Sequence, residues 1–146
     1  MNTRHEARLW AVQILFQRDF NEGDIVAALE QFWLEKKASS KMQAFTEELV
    51  RGVESMRGEI DEVIHKHAEH WDLSRMGAVD RNVMRVAMYE MLKRPDIPPI
   101  VSINEAVEIA KELSSDESGK FVNGILDRAR RDIDRPARAS TNVKTP

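Results

Sequence analysis

One segment near the middle of the chain is apolar on almost every side when it is drawn as a helix. From Val83 to Leu92 the sequence reads V-M-R-V-A-M-Y-E-M-L, and only Arg85 and Glu90 interrupt its apolar character. An α-helix that is hydrophobic all round has to be packed on several sides. We therefore expect this helix to lie at the centre of a helical bundle.

The remainder of the chain also shows helical periodicity, and no segment alternates with the period of a strand. The predicted helices run from about Arg4 to Phe20, from an N-cap at Asp24 to about Lys36, through Phe45–Val53, from Ile60 to His70, over the central segment, from Ser102 to Leu113, and from Asp116 to about Ile133. Three prolines, Pro95, Pro98 and Pro99, predict an extended linker after the central helix. We predict an all-α bundle of about seven helices, with one domain over residues 1–135 and a disordered tail over residues 136–146.

Composition narrows the classes of protein to which the chain can belong. It has 146 residues, of which 42% are hydrophobic and 32% are charged, as is typical of one soluble globular domain. It contains no cysteine, so disulfides, thiol nucleophiles and cysteine-based zinc sites are excluded. No apolar run approaches the ~18 residues of a membrane span, and the charged N-terminus does not resemble a signal peptide. We expect a cytoplasmic protein.

Two motifs in the C-terminal half contain residues that need a specific explanation. Ser102 and Glu105 have the spacing of a capping box, which predicts that a helix begins at Ser102. In the next helix Asn123 and Gly124 are costly, because a buried amide needs partners and an internal glycine costs roughly 0.5–1 kcal/mol relative to alanine. We therefore expect two helices to approach closely at Gly124, with the Asn123 amide bonding across the contact.

Neither a metal site nor a catalytic centre is indicated. His65, His67 and His70 lie near Glu69, but only His67 and His70 share a helical spacing of three, and no further ligand set accompanies them. A solvated polar helix face is the better interpretation. The carboxylates have simpler roles as caps or ion-pair partners, and no nucleophile elbow, phosphate-binding loop or zinc-protease motif occurs. We predict a protein without enzymatic activity, metal or cofactor.

Nucleic-acid binding is indicated weakly by the residues themselves. The formal net charge of −3 argues against a broadly basic surface but allows a local cationic site. Arg4 and Arg8 lie one helical turn apart with His5 beside them, and Lys120 and Phe121 lie near the start of the last helix. Such residues bind phosphates and stack on the bases of single-stranded RNA. The alternatives are a solvated helix face for the arginines and a core position for Phe121.

The C-terminal stretch is also basic. It carries Arg128, Arg130, Arg131, Arg135, Arg138 and Lys144 against Asp132 and Asp134. These cations either contact RNA or form a solubilising helix end and tail, since cations also suit a helix C-terminus.

Longer blocks of the sequence resemble one family. The segments V-S-I-N-E-A-V-E-I-A-K at residues 101–111 and K-F-V-N-G-I-L-D at residues 120–127 resemble the NusB family of bacterial transcription antitermination factors. The resemblance extends to A-V-Q-I-L-F at residues 11–16, F-T-E-E-L-V-R-G-V at residues 45–53 and V-D-R-N-V-M-R-V-A-M-Y-E-M at residues 79–91. It implies an all-helical protein that binds the boxA element of nascent ribosomal-RNA transcripts together with the ribosomal protein NusE, and that joins the antitermination complex on RNA polymerase.

The resemblance also implies which residues meet the RNA and the partner. The implied RNA-binding residues are Arg4, His5, Arg8, Phe16, Glu117, Ser118, Lys120 and Phe121. The polar side of the central helix, with Asp80, Arg81 and Arg85, is implied to contact NusE or RNA.

Two departures from the family pattern bear on affinity. Glu6 interrupts an N-terminal run that is more basic in some relatives, and Phe16 stands where the family commonly has a tyrosine. Fewer phosphate contacts predict weaker and less salt-sensitive RNA binding, since each contributes about 0.7 to the log–log salt slope for single strands. We expect the protein to depend on NusE for RNA affinity. Two other interpretations stay open, a helical scaffold or homodimer without RNA binding, and an accessory domain for an rRNA cytosine methyltransferase.

Overall fold

The computed structural model describes residues 3–21, 23–68 and 76–133, and within these ranges it contains seven helices and no strand. The helices are α1 (Arg4–Phe20), α2 (Ile25–Glu35), α3 (Ser40–Ser55), α4 (Arg57–His67), α5 (Ala78–Lys93), α6 (Pro99–Leu113) and α7 (Asp116–Arg130). The prediction of an all-α fold is confirmed. No helix in these ranges is long and apolar enough to cross a membrane. The predicted tail over residues 136–146 lies outside the described residues.

Helix α5 is the centre of the bundle, as its apolar circumference predicts. It packs against α1, α3, α4, α6 and α7, and even its polar interruptions, Arg85 and Glu90, are buried. Helices α6 and α7 form the most extensive helix pair, while α1 packs along α3. The N-terminal turn of α1 is thereby held against the core by neighbours from both halves of the chain.

Helix α2 is the least embedded helix. Only Leu29 is buried among its residues, and Leu34 is 79% exposed. Trp33 attaches the helix to the bundle, because its ring packs edge-on against Trp10 at 5.9 Å and its indole N–H donates to Glu47 Oε2 at 2.7 Å. Apolar and polar side chains of α2, among them Phe32 and Gln31, form one wall of an open groove against α1.

The predicted capping box at Ser102 is wrong. Helix α6 begins at Pro99, because the first helical position has no use for a backbone N–H and the fixed φ of proline suits it. Ser102 consequently lies inside the helix and is buried, where its hydroxyl donates to Glu90 Oε1 at 2.7 Å.

The close approach predicted at Gly124 occurs instead at two other glycines. A Cβ atom on Gly52 would lie 2.1 Å from the ring of Tyr89, and one on Gly119 would lie 2.7 Å from a lysine side chain of α6. At Gly124 the nearest such atom is 3.7 Å away, and Asn123 is exposed rather than bonded across a helix contact. The prediction failed because the packed face of α7 is formed by Gly119, Val122, Ile125, Leu126 and Ala129, and Asn123 and Gly124 are not among its buried residues.

Candidate nucleic-acid interface

The first turn of α1 presents a cation at the surface. Thr3 caps the helix by accepting from the backbone N–H of Glu6 at 3.1 Å, and Glu6 accepts in return from the N–H of Thr3 at 3.0 Å. This capping box gives Glu6 a local role within the otherwise basic segment. Arg4 is 43% exposed at its side chain and lies 4.0 Å from Asp96, with its guanidinium carbon 4.9 Å from the centre of the Phe45 ring. It is available to an anion.

His5 is held between two carboxylates of α6. Its Nδ1 lies 2.7 Å from Glu105 Oε1, and its Nε2 lies 3.1 Å from Glu112 Oε1. Partial burial disfavours the charged ring, but the hydrogen bonds and charges of the two glutamates outweigh this effect, and the pKa of His5 is raised above 6.5. The structure thus gives His5 two protein partners at the position where the resemblance implies an RNA contact.

Arg8 does not lie at the surface as expected of a phosphate ligand. Its side chain is 6% exposed and forms two hydrogen bonds with Glu90, from Nε to Oε2 at 2.6 Å and from Nη2 to Oε1 at 3.1 Å. Arg8 lies on the same face of α1 as Arg4 but one turn further along the helix, where α1 packs on α5 and covers it. Arg8 therefore lies in the core of the protein, paired with Glu90.

Phe16 lies at the edge of the groove between α1 and α2. It is 37% exposed, and its ring centre lies 5.1 Å from that of the exposed Phe20. The groove has a volume of about 770 Å³, and its wall extends to Val79 of α5 and Leu113 of α6. An exposed aromatic pair beside side-chain amides can accept a nucleobase or an apolar partner side chain.

The start of α7 lies next to the start of α5. Ser115 caps α7 by accepting from the backbone N–H of Ser118 at 3.1 Å, and the Ser118 hydroxyl donates to Asp80 Oδ2 at 3.3 Å. Glu117 and Lys120 are exposed, while Phe121 is half-buried and packs against the hydrophobic core. Of these residues, Lys120 is the one that offers an exposed cation.

The predicted partner face of α5 is only partly exposed. Asp80 is half-buried, and burial raises its pKa despite the hydrogen bond from Ser118. Arg81 donates to the backbone oxygen of Met76 at 2.9 Å and to Asp19 at 3.3 Å. Asp80 and Arg81 therefore remain candidates for the rim of an interface.

Arg85 does not lie at the surface as expected of a partner-binding residue. It is 4% exposed and forms two hydrogen bonds with Asp61, at 2.7 and 2.8 Å. It also lies 3.7 Å from Asp19. The pKa of Asp19 is lowered, because the hydrogen bonds from Asn82 and Arg81 and the nearby Arg85 charge outweigh its burial. Arg85 links α5 to α1 and α4.

His67 and Arg128 connect the end of α4 to the end of α7. His67 Nε2 lies 2.8 Å from Asp132 Oδ2, and Arg128 donates to the His67 backbone oxygen at 2.9 Å. His70 and Glu69 of the predicted histidine cluster, and the basic residues beyond Ile133, lie outside the described residues. Over the described ranges no three His, Asp or Glu side chains are arranged to hold a metal ion.

Sequence reasoning missed the acidic residues that organise this interface. Glu90, Glu105 and Glu112 bind side chains of α1. Glu105 was predicted to cap α6, but its carboxylate binds His5 instead. Their partners are more than 80 residues away in the sequence, and no local pattern marks a pairing at such a distance.

Comparison with known proteins extends the likeness to most of the chain. The sequence profile of the NusB family matches residues 5–131. The transcription antitermination protein NusB of Desulforapulum autotrophicum is 45% identical over 139 residues, covering 92% of this chain and 97% of that protein. T. maritima NusB has a similar structure, with a TM-score of 0.83, 40% identity, and coverage of 90% of this chain and 92% of that one. A structure of the antitermination factors NusB and NusE in complex with double-stranded RNA matches with a TM-score of 0.81 and 25% identity, covering 88% of this chain and 96% of that one. The chain belongs to the NusB family.

Proposed function

We propose that this protein is a non-enzymatic transcription antitermination factor that binds boxA-type single-stranded RNA of nascent rRNA transcripts together with NusE. The observation that carries the proposal is the near full-length similarity to a protein solved with NusE and RNA. The antitermination name of a relative that is 45% identical supports the same function.

The described contacts favour a smaller set of RNA-binding residues than the sequence does. Arg4 and Lys120 supply exposed cations, and Phe16 and Phe121 supply aromatic surface for stacking. Glu117 and Ser118 lie at the first turn of α7, where backbone N–H groups also favour phosphate. Arg8 and Arg85 support the interface indirectly, by holding the helices of the core together. Asp80 and Arg81 lie at the start of α5, where they would contact NusE or RNA.

The test is fluorescence anisotropy of a labelled boxA-like RNA, with and without NusE, at two salt concentrations. We expect salt-sensitive binding that NusE strengthens. Lys120→Ala should weaken it about fivefold at 0.1 M salt, because one lost phosphate contact removes about 0.7 from the log–log slope for single strands. Absence of RNA binding in every condition would refute the proposal and leave a helical protein-interaction module.

A matched control is Lys66 of α4, which lies near the C-terminal end of α7. Lys66 is 66% exposed and lies 3.1 Å from Asp132, which follows the C-terminus of that helix. Lys66→Ala removes the same charge as Lys120→Ala, but it should leave RNA affinity nearly unchanged. Equal weakening by both variants would indicate a general charge effect and would remove Lys120 from the site.

A further inference from the structure

Two acidic residues of α6 bind the segment of α1 that carries the proposed N-terminal RNA contact. Glu105 and Glu112 approach opposite nitrogens of the His5 ring, at 2.7 and 3.1 Å. Because a carboxylate only accepts hydrogen bonds, both contacts are satisfied together when the imidazole is protonated and both nitrogens donate. His5 is thus fixed through both of its polar atoms by a single helix.

The contacts of Glu105 extend into the core. Glu105 Oε1 also lies 3.6 Å from Arg8 Nη1, and Arg8 is bound by two hydrogen bonds to the fully buried Glu90. Glu90 in turn accepts from the hydroxyl of Ser102. A continuous row of charged contacts therefore joins α1, α5 and α6 directly beneath the first turns of α1.

Simple electrostatics opposes this arrangement at an RNA-binding surface. Carboxylates near a phosphate backbone repel it, and removing one should strengthen RNA binding. A carboxylate that positions a cation has the opposite effect, because its loss releases the segment that carries the cation. The sign of the change in RNA affinity distinguishes the two roles.

We propose that Glu105 and Glu112 are positioning residues for RNA binding, which hold His5 so that the first turn of α1 presents Arg4 to a phosphate. The inference rests on the proposed function and goes beyond it, since it assigns His5 to the support of the interface and its two acidic partners to RNA affinity. The directly contacting cation is Arg4, whose side chain remains 43% exposed.

The central experiment compares two alanine variants of the same helix. Glu105→Ala removes the contacts of that carboxylate with His5 and Arg8, whereas Glu108→Ala removes the same charge from an exposed position that faces Lys111 of its own helix at 3.7 Å. With labelled boxA-like RNA and NusE, Glu105→Ala should weaken binding about fivefold at 0.1 M salt and lower the salt slope by about 0.7, the equivalent of one phosphate contact. Glu108→Ala should leave affinity unchanged or slightly stronger.

A conservative variant separates positioning from charge. Glu105→Gln keeps an oxygen that accepts from His5 while removing the charge, so it should retain more affinity than Glu105→Ala. Amide hydrogen exchange over residues 7–9 should be faster in Glu105→Ala than in Glu108→Ala, because local opening of the first turns becomes easier.

The outcomes distinguish this inference from the proposed function. If the wild-type protein binds RNA and Glu105→Ala binds equally or more tightly, the positioning role is refuted and the proposed function stands. If the wild-type protein does not bind RNA with or without NusE, both are refuted. Weakened binding with a lower salt slope, confined to Glu105→Ala, supports the positioning role.

Discussion

The buried ion pair between Arg8 and Glu90 is the feature whose loss should cost the protein most. Both side chains are almost fully buried, at 6% and 1% exposure, and they share two hydrogen bonds. Arg8→Met removes the guanidinium while retaining much of the apolar stem. Glu90 is then left with the Ser102 hydroxyl as its hydrogen-bond partner among these groups.

The expected cost follows from this burial. Removing one partner of a buried pair costs about 3–5 kcal/mol, because the other charge stays without compensation in a medium that solvates it poorly. A domain of this size is stable by about 5–15 kcal/mol, so Arg8→Met should remove a large part of the free energy of unfolding. Replacing both partners, in Arg8→Met/Glu90→Leu, leaves no isolated charge and should cost less than either single change.

Urea unfolding followed by tryptophan fluorescence and far-UV circular dichroism measures these free energies, provided that both signals report the same transition. The two single variants and the double variant form a double-mutant cycle. Because each single change should cost about 3–5 kcal/mol and the double variant less than either, the coupling energy should exceed about 3 kcal/mol, the upper limit of the usual range. If the double variant costs the sum of the single changes, Arg8 and Glu90 do not stabilise each other and our account of the core is wrong.

Two further predictions concern a helix contact and a titrating group. Gly52→Ala should destabilise the protein by about 1–3 kcal/mol in urea unfolding, because the new methyl group would overlap the ring of Tyr89. Gly58→Ala, where a Cβ would meet nothing within 4 Å, should stabilise it by up to about 1 kcal/mol, and equal effects of the two would contradict the packing. The pKa of His5 is raised in the folded protein. Its ion pairs therefore stabilise the fold fully below the unfolded pKa of about 6.5. This stabilisation is lost as the pH rises through the higher folded pKa. The stability difference between wild type and His5→Gln should therefore shrink with increasing pH above 6.5, and a difference that stays constant from pH 6 to pH 9 would refute this.

The arrangement of the helices could be predicted from the sequence because it follows from local periodicity. The apolar circumference of α5 placed it at the centre, and Asp24 caps α2 in the structure as its residue type favours. Boundaries were less secure where two local signals competed. The prolines predicted an extended linker through Pro99, and Ser102 predicted a helix start. Both predictions are wrong, because Pro99 is itself the first residue of α6, and the Ser102 hydroxyl therefore lies in the core.

The candidate interface could not be predicted in the same way, because exposure depends on which helix covers which side chain. Arg4 and Arg8 look equivalent in the sequence, yet one is exposed and the other is buried against a carboxylate 82 residues away. Arg85 shows the same limit, since its partner Asp61 lies on α4. A helical spacing of four identifies a shared face, but only the packing of α1 and α5 decides how far each arginine on it is covered.

The burial of these arginines bears directly on how the protein would bind RNA. With Arg8 and Arg85 engaged in the core, Arg4 and Lys120 are the exposed cations left in the proposed set. Two phosphate contacts contribute only about 25-fold to affinity at 0.1 M salt, which is about 2 kcal/mol. Micromolar binding requires about 8 kcal/mol. Stacking on Phe16 and Phe121 contributes about 1–3 kcal/mol for each base, which still leaves a deficit. We therefore expect NusE to supply a substantial part of the RNA contacts, so that the pair binds boxA RNA much more tightly than this protein alone.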